Sequence, residues 1–321
     1  MKNRKVVITG PPIVDEAMDI LSANNVDVIL IPPYTDSDEI ASVVGNEGVD
    51  SILVRMGEIT DAVIKASPNL RVITKHGVGI NNIDLNAATG QKIPVMITPG
   101  ANSRSVAEHA LAMILTLTKS IILLDANLRQ GKWEKTSFRG TELTGKCLGI
   151  IGYGGIGREL AELVKPFKMK IHAFDPALKG QNIPELTDDL EKIYQNADVI
   201  SLHCPLTSQT RGMIGKQQLE SMKSSAYLVN TARGGLINED DLAWALEHGV
   251  IAGAGLDSFE VEPPPTDTKL WQAPNLLVSP HVGAVTNESL RNMGMQAVAN
   301  ILSVLDNQTI DRSCVVNRDI L

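Results

Sequence analysis

Short apolar runs alternate with longer amphipathic segments along most of the chain. In the first hundred residues the apolar runs fall at residues 6–9, 26–31, 51–54, 72–74 and 95–98. Helix-like segments separate them, and this alternation predicts a parallel sheet covered by helices on both faces. We therefore expect the first hundred residues to form a domain of their own.

The same alternation resumes in the second half of the chain. Its strand-like runs fall at residues 170–174, 199–202, 227–230, 251–256 and 276–279. The predicted fold class is therefore α/β, with two doubly wound parallel-sheet domains. A last amphipathic stretch, residues 287–306, is expected to cross back onto the first domain. The predicted domains are residues 1–101 plus 290–321, discontinuous, and residues 102–289.

One apolar stretch, residues 110–124, raises the question of a membrane. A spanning helix needs about 20 apolar residues, whereas this run is shorter, contains Lys119 and follows Glu108 and His109. Because it is apolar on nearly every face, it predicts a buried helix between domains or between subunits. No membrane association is expected.

Composition narrows the class of protein. The length of 321 residues favours two domains. The formal net charge of -8, without a basic run to offset it, argues against nucleic-acid binding. Cys147, Cys204 and Cys314 are widely spaced and odd in number, so they suggest neither a disulfide framework nor a Cys-x-x-Cys metal site. With no apolar targeting segment at the amino terminus, we expect a cytoplasmic protein.

A glycine-rich turn lies near the middle of the chain, between two strand-like runs. Gly152, Gly154 and Gly157 have the G-x-G-x-x-G spacing, which allows a tight turn, close approach of a pyrophosphate, and close packing of helix on strand. The N–H groups of the following helix would face the phosphates. Asp175 ends the next strand, where a carboxylate binds both ribose hydroxyls and repels a 2′-phosphate. The pattern favours NAD. Lys179 leaves NADP open, because a cation near Asp175 could bind the 2′-phosphate.

Three polar loops follow successive apolar strands of the second half. They are residues 230–235, 257–263 and 279–284. Reduction of a 2-keto acid needs a proton donor and a cation that holds the carboxylate. Histidine is the residue type whose unperturbed pKa lies near neutrality, so His281 is a candidate to deliver and remove the proton. Glu262 would fix its tautomer, and Arg233 can donate two parallel hydrogen bonds. We predict these three as the catalytic residues, and a substrate in the crevice facing the first domain.

These motifs resemble those of the D-isomer-specific 2-hydroxyacid dehydrogenases, most of all the phosphoglycerate dehydrogenase and hydroxypyruvate reductase branch. The resembling stretches include HGVGINNIDLNAA from His76, TPGANSRSVAEHALAMIL from Thr98, GKCLGIIGYGGIGRE from Gly145, NTARGGLINEDDLAWAL from Asn230 and SPHVGAVTNES from Ser279. In that family the equivalents of Glu262 and His281 relay the proton, and that of Arg233 anchors the substrate.

The resemblance also implies the remaining binding residues. Those expected to bind NAD are Val78, Gly152, Gly154, Gly155, Ile156, Gly157, Asp175, Cys204, Thr231, Ala232, Arg233, Asp257, His281, Val282, Gly283 and Ala284. Those expected to bind substrate are Arg55, Lys75, His76, Gly77, Val78, Gly79, Asn102 and Arg233. In residues 77–79, small side chains let backbone N–H groups approach a carboxylate.

The implied function is NAD-dependent hydride transfer between nicotinamide and a small D-2-hydroxy acid or 2-keto acid. The candidates are 3-phosphoglycerate and glycerate, with hydroxypyruvate and glyoxylate as keto acids. Phosphorylation of the substrate stays open, because Arg55 and Lys75 could bind a phosphate or lie in solvent. The resemblance further implies a homodimer, with residues 110–124 near its two-fold interface.

Two other classes of protein compete with this function. A dinucleotide-sensing binding protein, similar to the C-terminal binding protein corepressors, shares the fold and the motifs and is the main alternative. A zinc-dependent alcohol dehydrogenase ranks lowest, because His203 and Cys204 are adjacent strand residues whose side chains point to opposite faces. No metal site is predicted.

Overall fold

The computed structural model describes residues 3–321 and divides the chain into two compact units. Unit 1 is Met1–Asn102 with Val285–Leu321, and unit 2 is Ser103–Ala284. Each unit is built on one parallel sheet with apolar clusters on its two faces, so the predicted α/β fold class is confirmed.

The strands and helices are numbered here in chain order. Unit 1 begins with β1 Arg4–Thr9, α1 Asp15–Ala23, β2 Val26–Ile31, α2 Ser37–Glu47, β3 Ser51–Val54, α3 Asp61–Ala66, β4 Val72–Lys75, α4 Leu85–Gly90 and β5 Val95–Met96. Unit 2 contains α5 Ser103–Lys119, α6 Ile121–Arg129, β6 Cys147–Ile151, α7 Gly155–Val164, β7 Lys170–Phe174, α8 Leu190–Asn196, β8 Val199–Leu202, α9 Lys216–Ser221, β9 Tyr227–Asn230, α10 Glu239–Glu247, β10 Gly253–Leu256 and β11 Leu276–Val278. The chain then returns to unit 1 with α11 Asn287–Leu305.

Local sequence signals set the ends of the helices. The Asp36 carboxylate accepts hydrogen bonds from the amides of Asp38 and Glu39 and so caps the start of α2. Gly48, with φ of 59°, ends the same helix in the left-handed conformation. Asn238 caps α10 by accepting from the Asp241 amide.

The sheet of unit 1 has the strand order β2-β1-β3-β4-β5, with every pair parallel. This is the flavodoxin-like order. Val6 and Ile8 of β1 pack with Ala297 and Ile301 of α11, whereas Val7 faces the cluster on the other side of the sheet. Helix α11 therefore covers one face of the sheet of unit 1.

The fifth strand is shorter than the apolar run that predicts it. The Ile97 amide donates to the Cys314 carbonyl at 2.8 Å, and the Thr98 amide donates to the Gly77 carbonyl at 2.9 Å. These amides are diverted from the sheet, so β5 ends before them.

The sheet of unit 2 has the order β11-β10-β9-β8-β6-β7, again with parallel pairs. Leu148 and Ile150 of β6 pack among the residues of α5 and α7, whereas Ile151 faces the cluster formed with α8, α9 and α10. The strand order reverses at β6, and the carboxyl ends of strands at such a reversal are where ligands bind in this architecture.

The prediction of one continuous helix over residues 110–124 is wrong, because the helix breaks at Ser120. Ser120 has a left-handed φ of 50°, and α5 and α6 meet there at an angle of 56°. Helix α5 buries Met113 and Ile114, whereas every residue of α6 is at least partly exposed, Ile122 by 61%. Within residues 3–321 no single helix is long and apolar enough to cross a membrane, although this bent pair passes that test jointly by length and composition.

Candidate active site

The glycine-rich turn joins β6 to α7. Gly152 has a φ of 95°, and a Cβ added there would lie 2.5 Å from the Cys204 nitrogen. A Cβ on Gly157 would lie 2.3 Å from the Gly152 carbonyl oxygen, whereas one on Gly154 would meet no atom of residues 3–321 within 4 Å. The turn thus combines a tight bend, close helix–strand packing and open space at the helix N-terminus, which together fit a pyrophosphate.

Asp175 follows β7 and faces this turn. Its Oδ2 accepts a hydrogen bond from the Tyr153 amide and its Oδ1 one from the Ala177 amide, both at 3.0 Å. A cleft of about 340 Å³ lies beside it and includes Lys179 in its lining. Because each carboxylate oxygen can accept a further hydrogen bond, the site fits the ribose hydroxyls of a dinucleotide.

Asn230, at the end of β9, shapes the loop that carries Arg233. Its buried side chain donates to the Arg233 carbonyl at 2.8 Å and accepts from the Ala232 amide at 3.0 Å. The Arg233 guanidinium donates to the Ala232 carbonyl at 2.6 Å. The Thr231 hydroxyl is buried and has no hydrogen-bond partner within residues 3–321. A polar ligand would supply the partner that this hydroxyl needs.

The structure brings the three predicted catalytic side chains together. Glu262 Oε2 lies 2.7 Å from His281 Nδ1, and Glu262 Oε1 accepts from the Phe259 amide at 3.0 Å. Burial alone would raise the pKa of Glu262, but the hydrogen bonds from His281 and Phe259 and the charge of Arg233 hold it below its ordinary value. The ionised Glu262 therefore accepts the Nδ1 proton and leaves His281 Nε2 for a substrate.

Asp257 organises the loop that contains His281. Its carboxylate is 2% exposed, and it accepts from the Val282 amide at 2.9 Å, the Gly283 amide at 2.8 Å and the Ser279 hydroxyl at 2.6 Å. Burial would raise the pKa of Asp257, but the hydrogen bonds that it accepts lower it. Asp257 is therefore ionised and holds residues 279–283 in place.

The other predicted NAD-binding residues of unit 2 lie in the first turn of α7 or in loops that follow strands of the sheet. Gly155 and Ile156 form the first turn of α7, Cys204 follows β8, and Ala284 follows the loop held by Asp257. Burial raises the pKa of the Cys204 thiol to about 11, so this side chain is neutral.

In unit 1 the two predicted cations have partners within the fold. Arg55 Nη1 donates to the Pro11 and Pro12 carbonyls, both at 2.6 Å, and Lys75 Nζ donates to Asn82 Oδ1 at 2.9 Å. Burial lowers the pKa of the Arg55 guanidinium, which nevertheless stays protonated because its ordinary pKa is so high. Both charges therefore already serve to hold loops of unit 1.

The predicted substrate loop of unit 1 follows β4. Burial, reinforced by the charge of Arg55, lowers the pKa of His76 to about 4 and keeps its ring neutral. The Gly77 amide donates to Thr98 Oγ1 at 2.9 Å, so the fold already uses this N–H, which was expected to face a carboxylate. Val78 is 38% exposed, and Gly79 is half-buried.

Asn102 is the predicted substrate residue at the end of the first segment of unit 1. It is buried, and its Oδ1 has no hydrogen-bond partner within residues 3–321. A buried amide oxygen without a partner is costly, so a ligand that donates a hydrogen bond would fit it.

Comparisons with known proteins decide the family. The model of the D-isomer specific 2-hydroxyacid dehydrogenase NAD-binding domain matches residues 111–283. A hydroxypyruvate reductase of Thermotoga maritima is 39% identical over 302 residues, which are 93% of this chain and 98% of that protein. The chain belongs to the D-isomer specific 2-hydroxyacid dehydrogenase family.

Two further relatives agree with this assignment. The dehydrogenase is 38% identical over 302 residues to a D-3-phosphoglycerate dehydrogenase of Archaeoglobus fulgidus, matching 93% of this chain and 57% of that one. The NAD-bound 3-phosphoglycerate dehydrogenase of Entamoeba histolytica has a TM-score of 0.81 and 28% identity, covering 96% of this chain and 97% of that one.

The family assignment decides the predictions of enzyme class and cofactor. The chain is an NAD-dependent dehydrogenase, and the predicted cofactor is confirmed. The relatives favour this function over the alternative of a corepressor-like binding protein. Within residues 3–321, no group of three or more histidine, cysteine, aspartate or glutamate side chains could hold a metal ion.

The sequence does not predict two residues of this dehydrogenase that contact the loop of His281, namely Ser105 and His109. Ser279 bridges His109 and Asp257, and Ser105 donates to the Gly283 carbonyl at 2.6 Å. A weak signal existed, because Ser105 and His109 are four apart in α5 and therefore share one face.

Proposed function

We propose that this dehydrogenase reduces small 2-keto acids, hydroxypyruvate and glyoxylate first among them, to D-2-hydroxy acids with NADH, and that it prefers them to phosphorylated acids. The single observation that carries the proposal is the hydrogen bond of 2.7 Å between Glu262 and His281, with the charge of Arg233 acting on the same carboxylate.

Each of these side chains has a separate proposed role. Bound NADH would supply a hydride to the carbonyl carbon of the keto acid. His281, held by Glu262 through Nδ1, gives a proton from Nε2 to the carbonyl oxygen, and in the reverse direction it takes this proton back. Arg233 binds the carboxylate with its planar fork and withdraws charge from the adjacent carbonyl.

The coenzyme would be held by the glycine turn and the loops of unit 2. The open backbone at Gly154 would bind the pyrophosphate, and Asp175 would bind the ribose hydroxyls. Thr231 and Asp257 would contact the nicotinamide end of the coenzyme. Val78 of unit 1 is also part of the proposed set.

The contacts of unit 1 support a substrate without a phosphate. Arg55 and Lys75 already donate to acceptors of the fold, and His76 is neutral. The Arg55 and Lys75 side chains are therefore held by acceptors of the fold, and the neutral His76 adds no positive charge that a phosphate could use. We propose that the amides of residues 78–79 bind the carboxylate of the substrate, and that Asn102 accepts from a substrate hydroxyl.

A steady-state assay tests the function. With NADH, the purified protein is expected to reduce hydroxypyruvate and glyoxylate with a higher kcat/KM than phosphohydroxypyruvate. His281→Ala is expected to lower kcat about a thousandfold, since proton transfer of this kind contributes about 10²–10⁴-fold. His248→Ala, an exposed histidine of the same unit, serves as the control. Failure of the wild type to reduce any of the three acids refutes the proposal.

We also propose that the dehydrogenase is a cytoplasmic homodimer. Ile121, Ile122, Leu123 and Leu128 of α6 are each at least 50% exposed, and Trp133 beyond the helix is 74% exposed. An apolar patch of this kind marks a contact surface, and a second copy of the chain is the proposed occupant. The three free cysteines fit a reducing compartment.

A further inference from the structure

The loop that carries His281 holds this residue in an unfavourable backbone conformation. His281 has a φ of 54°, in the left-handed region, which residues other than glycine rarely adopt. Such a conformation persists only where surrounding contacts impose it. The contacts around residues 279–283 therefore determine where the imidazole points.

Asp257 supplies the first of these contacts. Its two oxygens accept from the two amides that follow His281, those of Val282 and Gly283. A Cβ at Gly283 would lie 2.9 Å from Asp257 Oδ2 and 3.5 Å from a ring carbon of His109. The carboxylate and the ring thus occupy the space where a side chain would stand.

Helix α5 supplies the second set of contacts. Ser105 Oγ donates to the Gly283 carbonyl at 2.6 Å, and His109 Nε2 lies 2.9 Å from Ser279 Oγ and 3.4 Å from Asp257 Oδ1. Because the two helix residues are four apart, they reach the loop from the same face.

The direction of these hydrogen bonds follows from the donors present. The Ser279 hydroxyl has one hydrogen, which it donates to Asp257 Oδ1 at 2.6 Å. It must then accept from His109, whose Nε2 therefore carries a hydrogen. His109 is the donor that fixes the Ser279 hydroxyl toward the carboxylate.

We propose that His109 is a positioning residue of this dehydrogenase, which acts through Ser279 and Asp257 to hold His281 in its active orientation. The proposal rests on the proposed function for its effect on turnover. The hydrogen-bond network itself does not depend on which acid is the substrate.

Replacing His109 by two different side chains tests the proposal. His109→Leu removes the donor, whereas His109→Gln keeps an N–H at a similar reach. His172→Leu, an exposed histidine of unit 2, is the matched control. The measurements are kcat and KM for hydroxypyruvate across pH, and hydrogen exchange of the Val282 and Gly283 amides in the enzyme without coenzyme.

In His109→Leu we expect kcat to fall about tenfold with KM for the keto acid within about threefold, since proton transfer is impaired while Arg233 still binds the carboxylate. The exchange of both amides should accelerate about tenfold, since Asp257 holds them less firmly. The alkaline limb of the pH profile should move to lower pH. His109→Gln should recover most of each effect, and His172→Leu should match the wild type.

Two results would overturn the proposal. One is a His109→Leu variant with kcat and amide exchange like those of the wild type, and the other is a His109→Gln variant no better than His109→Leu. If His109→Leu fails to fold, Ser279→Ala removes the bridging hydroxyl and must produce the same pattern. If the wild type reduces none of the acids, the proposed function fails, while amide exchange still decides the role of His109.

Discussion

The two nitrogens of His281 face different tasks because Glu262 is ionised. A carboxylate that accepts the Nδ1 proton stabilises the charged ring and fixes its tautomer, which a neutral acceptor does less well. The depressed pKa of Glu262 keeps this carboxylate ionised well below neutral pH. The pair therefore remains intact across the pH range in which an imidazole donates and recovers a proton.

Neutralising this carboxylate should weaken the proton donor. In Glu262→Gln we expect kcat for keto-acid reduction to fall about a hundredfold, with the alkaline limb of the pH profile displaced to lower pH, because the charged ring loses its counter-ion. Initial rates from pH 5 to 9 measure both. Glu260→Gln, a half-exposed carboxylate of the same loop, should behave like the wild type. Equal activity of Glu262→Gln and wild type would contradict this role.

A second residue-scale prediction concerns the choice of coenzyme. Asp175→Ala removes the carboxylate expected to bind the ribose hydroxyls and leaves Lys179 in the same cleft. We expect KM for NADH to rise about tenfold and the preference for NADH over NADPH to fall by at least as much, because a 2′-phosphate is no longer repelled. Steady-state kinetics with both coenzymes measure the change. Asp188→Ala, which alters another carboxylate of the cleft, is the control, and an unchanged preference in Asp175→Ala would refute the assignment.

At the residue scale, the sequence predicts the site residues that follow strands of the sheet. It does not predict the residues that reach the site from a helix. Arg233, Glu262 and His281 each follow a strand of one parallel sheet, so their convergence can be predicted from the βα pattern alone. His109 lies on a helix more than 140 residues before Asp257 in the chain. Its contact depends on how α5 packs on the sheet, which no local pattern specifies.

Among the elements, the pair α5–α6 shows where an apolar pattern is ambiguous. Residues 110–124 are apolar almost throughout, so periodicity cannot separate a buried segment from one that needs a partner. The break depends on the left-handed conformation of Ser120, which serine rarely signals. The side chains of α5 enter the core of unit 2, while the similar side chains of α6 remain exposed.

The exposed face of α6 leads to a prediction about assembly. Ile122→Asp combined with Leu128→Asp should convert the proposed dimer to a monomer, because two buried charges without partners oppose association. Light scattering at micromolar concentration measures the mass. Leu30→Asp, at an apolar position of unit 1 that is 48% exposed, should leave the dimer intact. A wild type that is already monomeric would remove the proposed interface.

For the molecule as a whole, the parallel sheets are the most predictable feature. Strands of parallel sheets appear as short apolar runs, and β2, β3, β7, β8 and β9 have the bounds that the pattern predicts, including the partly exposed edge strands β2 and β7. Departures occur where other contacts compete. The predicted strand 95–98 loses its second half to partners at Gly77 and Cys314, and hydrogen bonds of this kind leave no local signal.

Each unit has one histidine whose burial makes the free energy of unfolding depend on pH. The pKa of His76 and of His203 is lowered to about 4, for His203 by burial alone. Their unfolded value is about 6.5, so between pH 6.5 and 4 the unfolded chain binds protons that the folded chain does not, and the free energy of unfolding falls as the pH falls. Each histidine accounts for a fall of up to about 3 kcal/mol in the free energy of unfolding over this pH range.

Replacing one of these histidines should flatten the pH dependence. In His203→Gln we expect the free energy of unfolding to decline less between pH 6.5 and 4 than in the wild type, because one group that binds protons only in the unfolded chain is gone. Urea unfolding at several pH values measures the free energy of unfolding and therefore its slope with pH. His248→Gln, at an exposed position, should keep the slope of the wild type. Identical slopes in all three proteins would contradict the burial of a neutral His203.

The discontinuity of unit 1 has a consequence for biosynthesis. A ribosome makes β1 well before α11, yet the apolar face of β1 packs with Ala297 and Ile301 of α11. Unit 2 is complete as soon as Ala284 has left the exit tunnel. Unit 1 must therefore wait for α11, while the nucleotide-binding unit 2, translated between the two segments of unit 1, can fold before α11 is made.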